Sequence, residues 1–508
     1  MRVKEILRNL NYISWKIPMD KRGRNIFSLC QDSRNADPAC LFFCKRGTQV
    51  DGHLYARDAY NNGARFFVVE REVDLPEDAA VITVKDSGEE LKRLSVIFYG
   101  DPCKELNLIG ITGTKGKTTV ALSVYKIAQA YGKNVGYIGT NGVYYGGRVF
   151  ETANTTPDCL ELQKLLREMK DNGVTDVILE VSSQALWQER TYGLNFEICA
   201  FTNLYEDHIG GVEHPTMLHY KKCKKKLFTD YDSKYIVVNS DSPATQYMMR
   251  NVDKSKVITT SAKGNSRCDV YALEASKRKE GILPGVGFRL LARSQSPVRV
   301  GGRGFDTFIP IPGLYSVENA LLTFAICSLM GIAPGFIVDE FSRLAIPGRF
   351  ESVQLDRRPN SLFIIDYAHN GASLKAVMDS LREYEPKRII LVFGSVGGRT
   401  FGRREELGRV ADKEADVIII TSDNPNNEAP MKIIEDINAA IKDRDKPIYL
   451  IPDRKKAVEK AYEIAEDGDF VLLAGKGHEN YQLVCGAREP FSERRILERV
   501  NALNIVFQ

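Results

Sequence analysis

The chain is poor in the features that mark several large protein classes. Its ten cysteines stand singly, at Cys30, Cys40, Cys44, Cys103, Cys159, Cys199, Cys223, Cys268, Cys327 and Cys485. No CxxC pair occurs, and no Cys/His cluster has the spacing of a zinc site. Neither a disulfide framework nor a zinc module is expected; reduced thiols in a cytoplasmic protein are. No run approaches the ~18 apolar residues of a membrane span. Residues 1–17 lack an apolar core long enough for a secretory signal. Charge of one sign is also missing. The 70 Lys and Arg against 66 Asp and Glu leave a formal +4, which argues against a chain whose task is to coat nucleic acid. There is no low-complexity segment and no fixed-period repeat.

What remains is an ordinary globular composition, 43% hydrophobic and 27% charged, over 508 residues. At roughly 150 residues per domain the length suggests about three domains. Apolar runs at 64–70, 176–181, 234–239, 388–394, 416–421 and 469–475 alternate with helical patterns. Such Val- and Ile-rich runs suit strands buried on both faces, and their alternation with helices implies α/β architecture with parallel sheets. Breaks at Gly100-Asp101-Pro102 and Ile346-Pro347-Gly348-Arg349 divide the chain into 1–101, 102–347 and 348–508. The Gly-, Arg- and Ser-rich segment 277–302 reads as a mobile loop or as surface hairpins.

The strongest local signal follows the apolar run beginning at Leu106. The turn Gly113-Thr114-Lys115-Gly116-Lys117-Thr118-Thr119 leads into a helical pattern from Thr118 to Ala128. Two glycines let backbone N–H groups approach phosphate oxygens, and the helix N-terminus adds its dipole. Lys117 can reach β/γ-phosphates and Thr118 can offer a hydroxyl to Mg²⁺. Ile111 stands where the usual phosphate loop begins with Gly, so this is a shorter variant. The bland alternative is a tight strand–helix turn with an incidental lysine.

Glu180 ends the run Val177-Ile-Leu-Glu, at the strand end where ligands gather, and suits metal or water activation; the alternative is an exposed strand-end carboxylate. Asn203, Asp207 and His208 follow another apolar run and form an oxygen/imidazole set. The segment His219–Phe228 carries five lysines, a solvated helix face or a phosphate-attracting patch. Nothing in its composition singles out one of them.

In this order the motifs resemble those of the Mur ligase family. They are Gly113–Thr119, Asn154-Thr-Thr-Pro-Asp158, Glu180-Val-Ser-Ser183, Thr202-Asn203…Asp207-His208, Pro347-Gly-Arg349, Asp366-Tyr-Ala-His369 and Gly475-Lys-Gly-His-Glu479. Asp32-Ser-Arg34 and Asp51-Gly-His53 resemble the UDP-binding domain of its tripeptide-synthetase branch, so the likeness spans nearly the whole chain. It implies three α/β domains: a UDP-sugar-binding domain, a central P-loop ATPase domain and a Rossmann-like domain that brings the amino acid. It implies ATP-dependent activation of the carboxylate of UDP-N-acetylmuramoyl-L-alanyl-D-glutamate as an acyl phosphate. Attack by a diamino acid then forms the amide.

The resemblance also assigns positions. Lys117 and Thr118 hold phosphate and a first Mg²⁺; Glu180 is the metal and catalytic glutamate; His208 ligates a second metal. Lys224 falls where the family carries N6-carboxylysine. Asn319, Arg349 and Asp366 are ATP contacts, Ser33 a uridine contact, and Thr155, Thr156, Ser182 and Arg190 muramoyl-dipeptide contacts. Lys115 and Gln184 replace the commoner Asn and His, leaving their roles open. Expected partners are small-molecule substrates, with no nucleic acid, no membrane and a monomeric chain.

The amino acid is read from Asp423-Asn424-Pro-Asn426-Asn-Glu428. Enzymes adding meso-diaminopimelate have Arg where Asn426 stands, to pair the distal carboxylate. Asn offers a weaker neutral hydrogen bond. Glu428 is free, on this reading, to attract a distal ammonium, while Arg399 takes the α-carboxylate and Gly475 and Glu479 complete the site. L-lysine or a similar diamino acid is therefore expected ahead of meso-diaminopimelate, unless Asn426 merely caps the next helix. The competing readings are a folylpolyglutamate-type ligase, a non-catalytic ATP-binding regulatory protein and a nucleic-acid-binding NTPase.

Overall fold

Three successive stretches of the chain each build their own sheet. The computed structural model describes residues 1–47, 50–206, 209–210, 213–300, 303–398 and 401–503. Asp207, His208 and Arg399 lie outside the described residues.

The first sheet runs Tyr12–Lys16, Ala80–Val84, Phe66–Val69, Cys40–Phe43, Ser28–Cys30, with only the first strand antiparallel to its neighbour. The second has eleven strands among the described residues. Its parallel centre is Val257–Ser261, Ser233–Asn239, Phe196–Phe201, Asn107–Thr112, Asp176–Glu180 and Val135–Gly139. The third runs Glu351–Val353, Leu362–Asp366, Phe470–Ala474, Ile389–Phe393, Val417–Ile420, Ile448–Leu450. It too is parallel apart from its first strand.

The central sheet has the expected parallel centre and adds antiparallel strands at both margins. Gly142–Tyr145 and Arg148–Phe150 extend one margin as antiparallel strands, and Leu283–Ala292 and Phe305–Ile309 extend the other beyond Val270–Glu280. The cause is loop length. Gly146-Gly147 and Gly281-Ile282 are two-residue connections, too short for a crossover helix. Of the segment singled out in the sequence, residues 277–300 are thus largely a hairpin arm and its return.

Burial on both faces explains the continuous apolar runs. Ile109, Ile111, Ile178, Ile198 and Val237 pack on one side with the helices Lys117–Ala130 and Leu314–Leu329. Leu108, Val177, Leu179, Cys199 and Val238 pack on the other with Cys159–Asp171 and Met217–Thr229. Each such side chain contributes roughly 1.5–3 kcal/mol. The junctions are also specific. Asp101 has φ 51° and hands over to Pro102, which opens a 3₁₀ turn. Gly348 has φ 67°, and a Cβ there would stand 2.2 Å from the His478 nitrogen, so only glycine fits. Among the described residues no helix is long and apolar enough to cross a membrane.

Candidate functional site

The phosphate loop leaves the buried strand Asn107–Thr112 and enters the helix Lys117–Ala130, with Gly116 at φ 84° as its N-cap. Glycine is demanded twice. A Cβ on Gly113 would meet the Thr202 hydroxyl at 1.9 Å, and one on Gly116 would meet Asn319 Oδ1 at 2.5 Å. Asn319, on the helix Leu314–Leu329, is thereby seated against the loop. The loop is braced from the next strand end: Thr114 N–H donates to Asn203 O at 2.9 Å and Lys115 N–H to Asn203 Oδ1 at 2.9 Å. Lys115 is itself exposed, and Thr119 lies on the helix one position beyond Thr118.

Two ammonium groups converge here. Lys117 donates to Gly113 O at 2.9 Å and Thr114 O at 3.0 Å. Lys224, from the helix Met217–Thr229, donates to the same Gly113 O at 2.7 Å while 2% exposed. Its Nζ also lies 4.6 Å from the Tyr220 ring centroid, a cation–π contact. Two cations sharing one acceptor define a place that favours an anion.

Glu180 faces them from a neighbouring strand end. The carboxylate is fully buried and accepts from Thr118 Oγ1 at 2.9 Å, Tyr137 OH at 2.5 Å, Thr140 N–H at 3.1 Å and Thr140 Oγ1 at 3.2 Å. This excludes the exposed strand-end alternative. Burial beside Glu180 pushes the Tyr137 phenol well above its ordinary range, so it stays a donor. Tyr137 and Thr140 are not legible in the sequence as site residues; no spacing links them to Glu180.

Beyond Glu180 the chain forms a polar corner. Thr156 donates to Glu180 O at 2.8 Å and accepts from Ser182 N–H at 3.1 Å, and Arg190 donates to Thr156 O at 2.9 Å. Ser182 caps the helix Ser183–Trp187, on which Gln184 sits, and Thr155 meets Thr140 Oγ1 at 3.2 Å. Arg190 opens onto a cavity of about 220 Å³ shared with Lys45, Lys92, Asn154, Asp158 and Gln188. Three basic residues against one carboxylate suit an anionic ligand. Burial lowers the pKa of Arg190 from its ordinary value. Gln31 ties the first sheet's stretch to this corner, donating to Asp158 at 2.6 Å. Ser33, half-buried, begins a 3₁₀ turn two residues on.

The third sheet offers a second cluster at its strand ends. Asp366 accepts from Phe350 N–H at 2.7 Å and Ala368 N–H at 2.8 Å. Burial raises its pKa against the pull of those amides and of Arg349. Arg349 lies over the Tyr367 ring at 5.3 Å. The fully buried Lys476 donates to Asn424 Oδ1 at 2.9 Å and to Glu479 at 2.7 Å, with Asp423 at 3.8 Å. Gly475, at φ 107°, passes close to the Asp423 carboxylate. Lys476 stands inside the Gly475–Glu479 motif, but nothing in the sequence signals that it is buried.

Two readings around Asn426 need correction. It does not cap the next helix: Ala429 is the N-cap of Pro430–Asn438. Asn426 has φ 53°, a left-handed conformation that Asn tolerates, and its backbone bridges to Leu483 and Cys485. Nor is Glu428 free. Arg404, 1% exposed in its side chain, grips both its oxygens at 2.8 and 2.6 Å, and Gly398 N–H adds a third bond at 2.8 Å. The Arg404 guanidinium holds the Glu428 carboxyl down at about 2. A depressed carboxyl contributes stability that is complete above the unfolded value of 4.5 and lost as pH falls through 2. The melting temperatures of the native chain and Glu428→Gln should therefore converge between pH 4.5 and 2; a constant gap across that window would refute the pairing.

A Cys/His group forms that has no zinc-site spacing in the sequence. His214, His219 and Cys223 come together, their ligand atoms all within 4.8 Å of one another.

Comparisons with known proteins give one consistent answer. Residues 26–98 match the Mur ligase family catalytic domain, 111–327 the Mur ligase middle domain and 348–477 the Mur ligase glutamate ligase domain. The UDP-N-acetylmuramoyl-L-alanyl-D-glutamate–2,6-diaminopimelate ligase of Caldanaerobacter subterraneus subsp. tengcongensis is 37% identical over 94% of this chain and 95% of its own. The enzyme of that name from Geobacillus thermodenitrificans is 36% identical over 94% and 95%. A solved ligase of the same name is 28% identical, with TM-score 0.66 over 99% of both chains. The MurF ligase of Thermotoga maritima solved with ADP shares the fold at 16% identity, TM-score 0.56, over 93% of this chain and 96% of that one.

Proposed function

Because the chain belongs to the Mur ligase family, and so is an ATP-dependent amide-forming ligase, we propose that it adds 2,6-diaminopimelate, in the meso form, to UDP-N-acetylmuramoyl-L-alanyl-D-glutamate. The observation that carries this reading is the junction of the Gly113–Thr119 loop, two convergent ammonium groups and the caged Glu180 at adjoining strand ends. Phosphoryl transfer between anions needs cations and fixed dipoles more than covalent help. Lys117 and the loop amides hold the β/γ-phosphates, and Asn319, Arg349 and Asp366 line the remaining nucleotide contacts. In this division residues 1–101 hold the UDP end, 102–347 the ATP and 348–508 the amino acid.

Mg²⁺ fits the donor set, which is hard oxygen: Thr118 Oγ1 and the Glu180 carboxylate. Bound there, the ion would neutralise phosphate charge. Lys224 as an ammonium cannot ligate a cation; as N6-carboxylysine it would supply an oxygen beside Gly113. The dipeptide carboxylate is held at the Thr155, Thr156, Ser182 and Arg190 corner, within reach of the phosphate seat. The transferred phosphoryl gives an acyl phosphate there, and the incoming amine displaces phosphate to leave the amide.

Diaminopimelate is preferred over lysine because the lysine argument needed an unpaired Glu428, and Arg404 has closed it. Asp423, Asn424, Lys476 and Glu479 then receive the amino acid. Phosphate release with the UDP-dipeptide should be fastest with meso-diaminopimelate, compared in parallel with L-lysine and ornithine. Turnover with lysine alone would keep the ligase and reverse the choice of amino acid, restoring weight to Asn426.

A further inference from the structure

The geometry points to a binding site for zinc or a similarly soft divalent cation, built from His214, His219 and Cys223 and separate from the oxygen donors of the phosphate loop. His219 and Cys223 stand one turn apart on the helix Met217–Thr229 and so share a face. His214 arrives from the preceding loop and places Nδ1 at 2.9 Å from His219 Nδ1. The Cys223 sulfur lies 3.8 Å from the His219 ring nitrogens. Two imidazole nitrogens on one tetrahedral zinc stand about 3.3 Å apart, and a thiolate about 3.6 Å from each, given bond lengths near 2.0 and 2.3 Å. The two distances made by His219 are thus within a few tenths of an ångström of those values, and all three ligand atoms lie within 4.8 Å of one another.

Three further observations favour a ligand over a chance contact. The second His214 nitrogen, Nε2, is 2.9 Å from Ser183 Oγ, which turns Nδ1 inward. Trp187 packs on both histidine rings, at centroid distances of 6.0 and 5.2 Å, and Tyr220 packs on His214 at 5.1 Å. Little reorganisation is therefore needed on binding. His214 is fully buried and Cys223 is 3% exposed, so the thiol is sheltered from bulk oxidants. Imidazole and thiolate select zinc-class ions over Mg²⁺. Three protein ligands leave a fourth position for water or a substrate atom.

The test is a titration of the full chain with Co²⁺ in excess Mg²⁺ and without ATP. One equivalent should bind with a thiolate-to-metal charge-transfer band and the strong ligand-field absorption of a tetrahedral ion. Zn²⁺ should displace it. Cys223→Ser should abolish the charge-transfer band. His219→Ala should weaken binding at least roughly 10- to 100-fold, the range seen when even a supporting partner of a ligand is removed. Circular dichroism of both variants keeps folding separate from binding. No charge-transfer band in the native chain, or an undiminished one in folded Cys223→Ser, would overturn the proposal. Mg²⁺-supported phosphate release is read separately, so a failed metal site leaves the ligase reading untouched.

Discussion

Lys117→Ala should lower ATP-dependent turnover by at least about 10²–10³-fold, the scale for deleting one preorganised donor from a charge-stabilising site. The side chain sits inside the loop it serves, donating to Gly113 O and Thr114 O. Phosphate oxygens entering that cradle would exchange those carbonyls for anions, a stronger class of hydrogen bond. The loop amides and the N-terminus of the helix Lys117–Ala130 would remain, so part of the positive field survives and binding of nucleotide should fall less than kcat. The UDP-substrate should still bind, because Lys45, Lys92 and Arg190 line a cavity that the loop lysine does not enter. Calorimetry with that substrate and steady-state phosphate release separate the two effects. A kcat within a few-fold of the native chain would remove Lys117 from the reaction.

The largest stability effect is expected at Glu493→Ala. Arg454 and Glu493 are both essentially sealed from water, with two guanidinium nitrogens on Glu493 Oε1 at 2.9 and 2.7 Å. Arg454 also donates to Ser422 O at 3.1 Å and Ala474 O at 2.7 Å, so it joins the two chain segments that carry Asp423 and Gly475. Removing the carboxylate leaves a buried cation facing carbonyls alone. Loss of one partner from a buried pair costs roughly 3–5 kcal/mol. The denaturant midpoint of the transition that melts the third sheet reads this directly, and a shift worth less than about 1 kcal/mol would contradict it. Because the pair supports the strand ends, the KM for the amino acid should rise in whatever fraction still folds.

Distance along the chain separates the legible features from the hidden ones. The phosphate loop was legible because Gly113, Gly116, Lys117 and Thr118 are neighbours in the chain and their spacing is the geometry. The central strands were legible because burial on both faces writes itself as unbroken apolar runs. The cage around Glu180 was not, since Tyr137 and Thr140 reach it across some forty residues and a sheet. Glu428 looked free for the same reason: Arg404 lies 24 positions upstream, on the helix Phe401–Glu414. Asn426 looked like a cap because Asn serves caps and left-handed turns equally well, and only φ distinguishes them. His214, His219 and Cys223 escaped because a loop, not a spacing rule, completes the set.

The glycine at 348 carries a consequence for protein engineering. Its N–H donates to Glu351, its carbonyl accepts from Tyr367 N–H, and its missing side chain leaves room for His478. The joint therefore belongs structurally to the third sheet and its loops. Chimeras that graft the last portion of one relative onto another should place their crossover upstream of Pro347. A seam after Gly348 would separate this joint from the socket moulded around it, and such hybrids should express poorly whatever the match of their sheets.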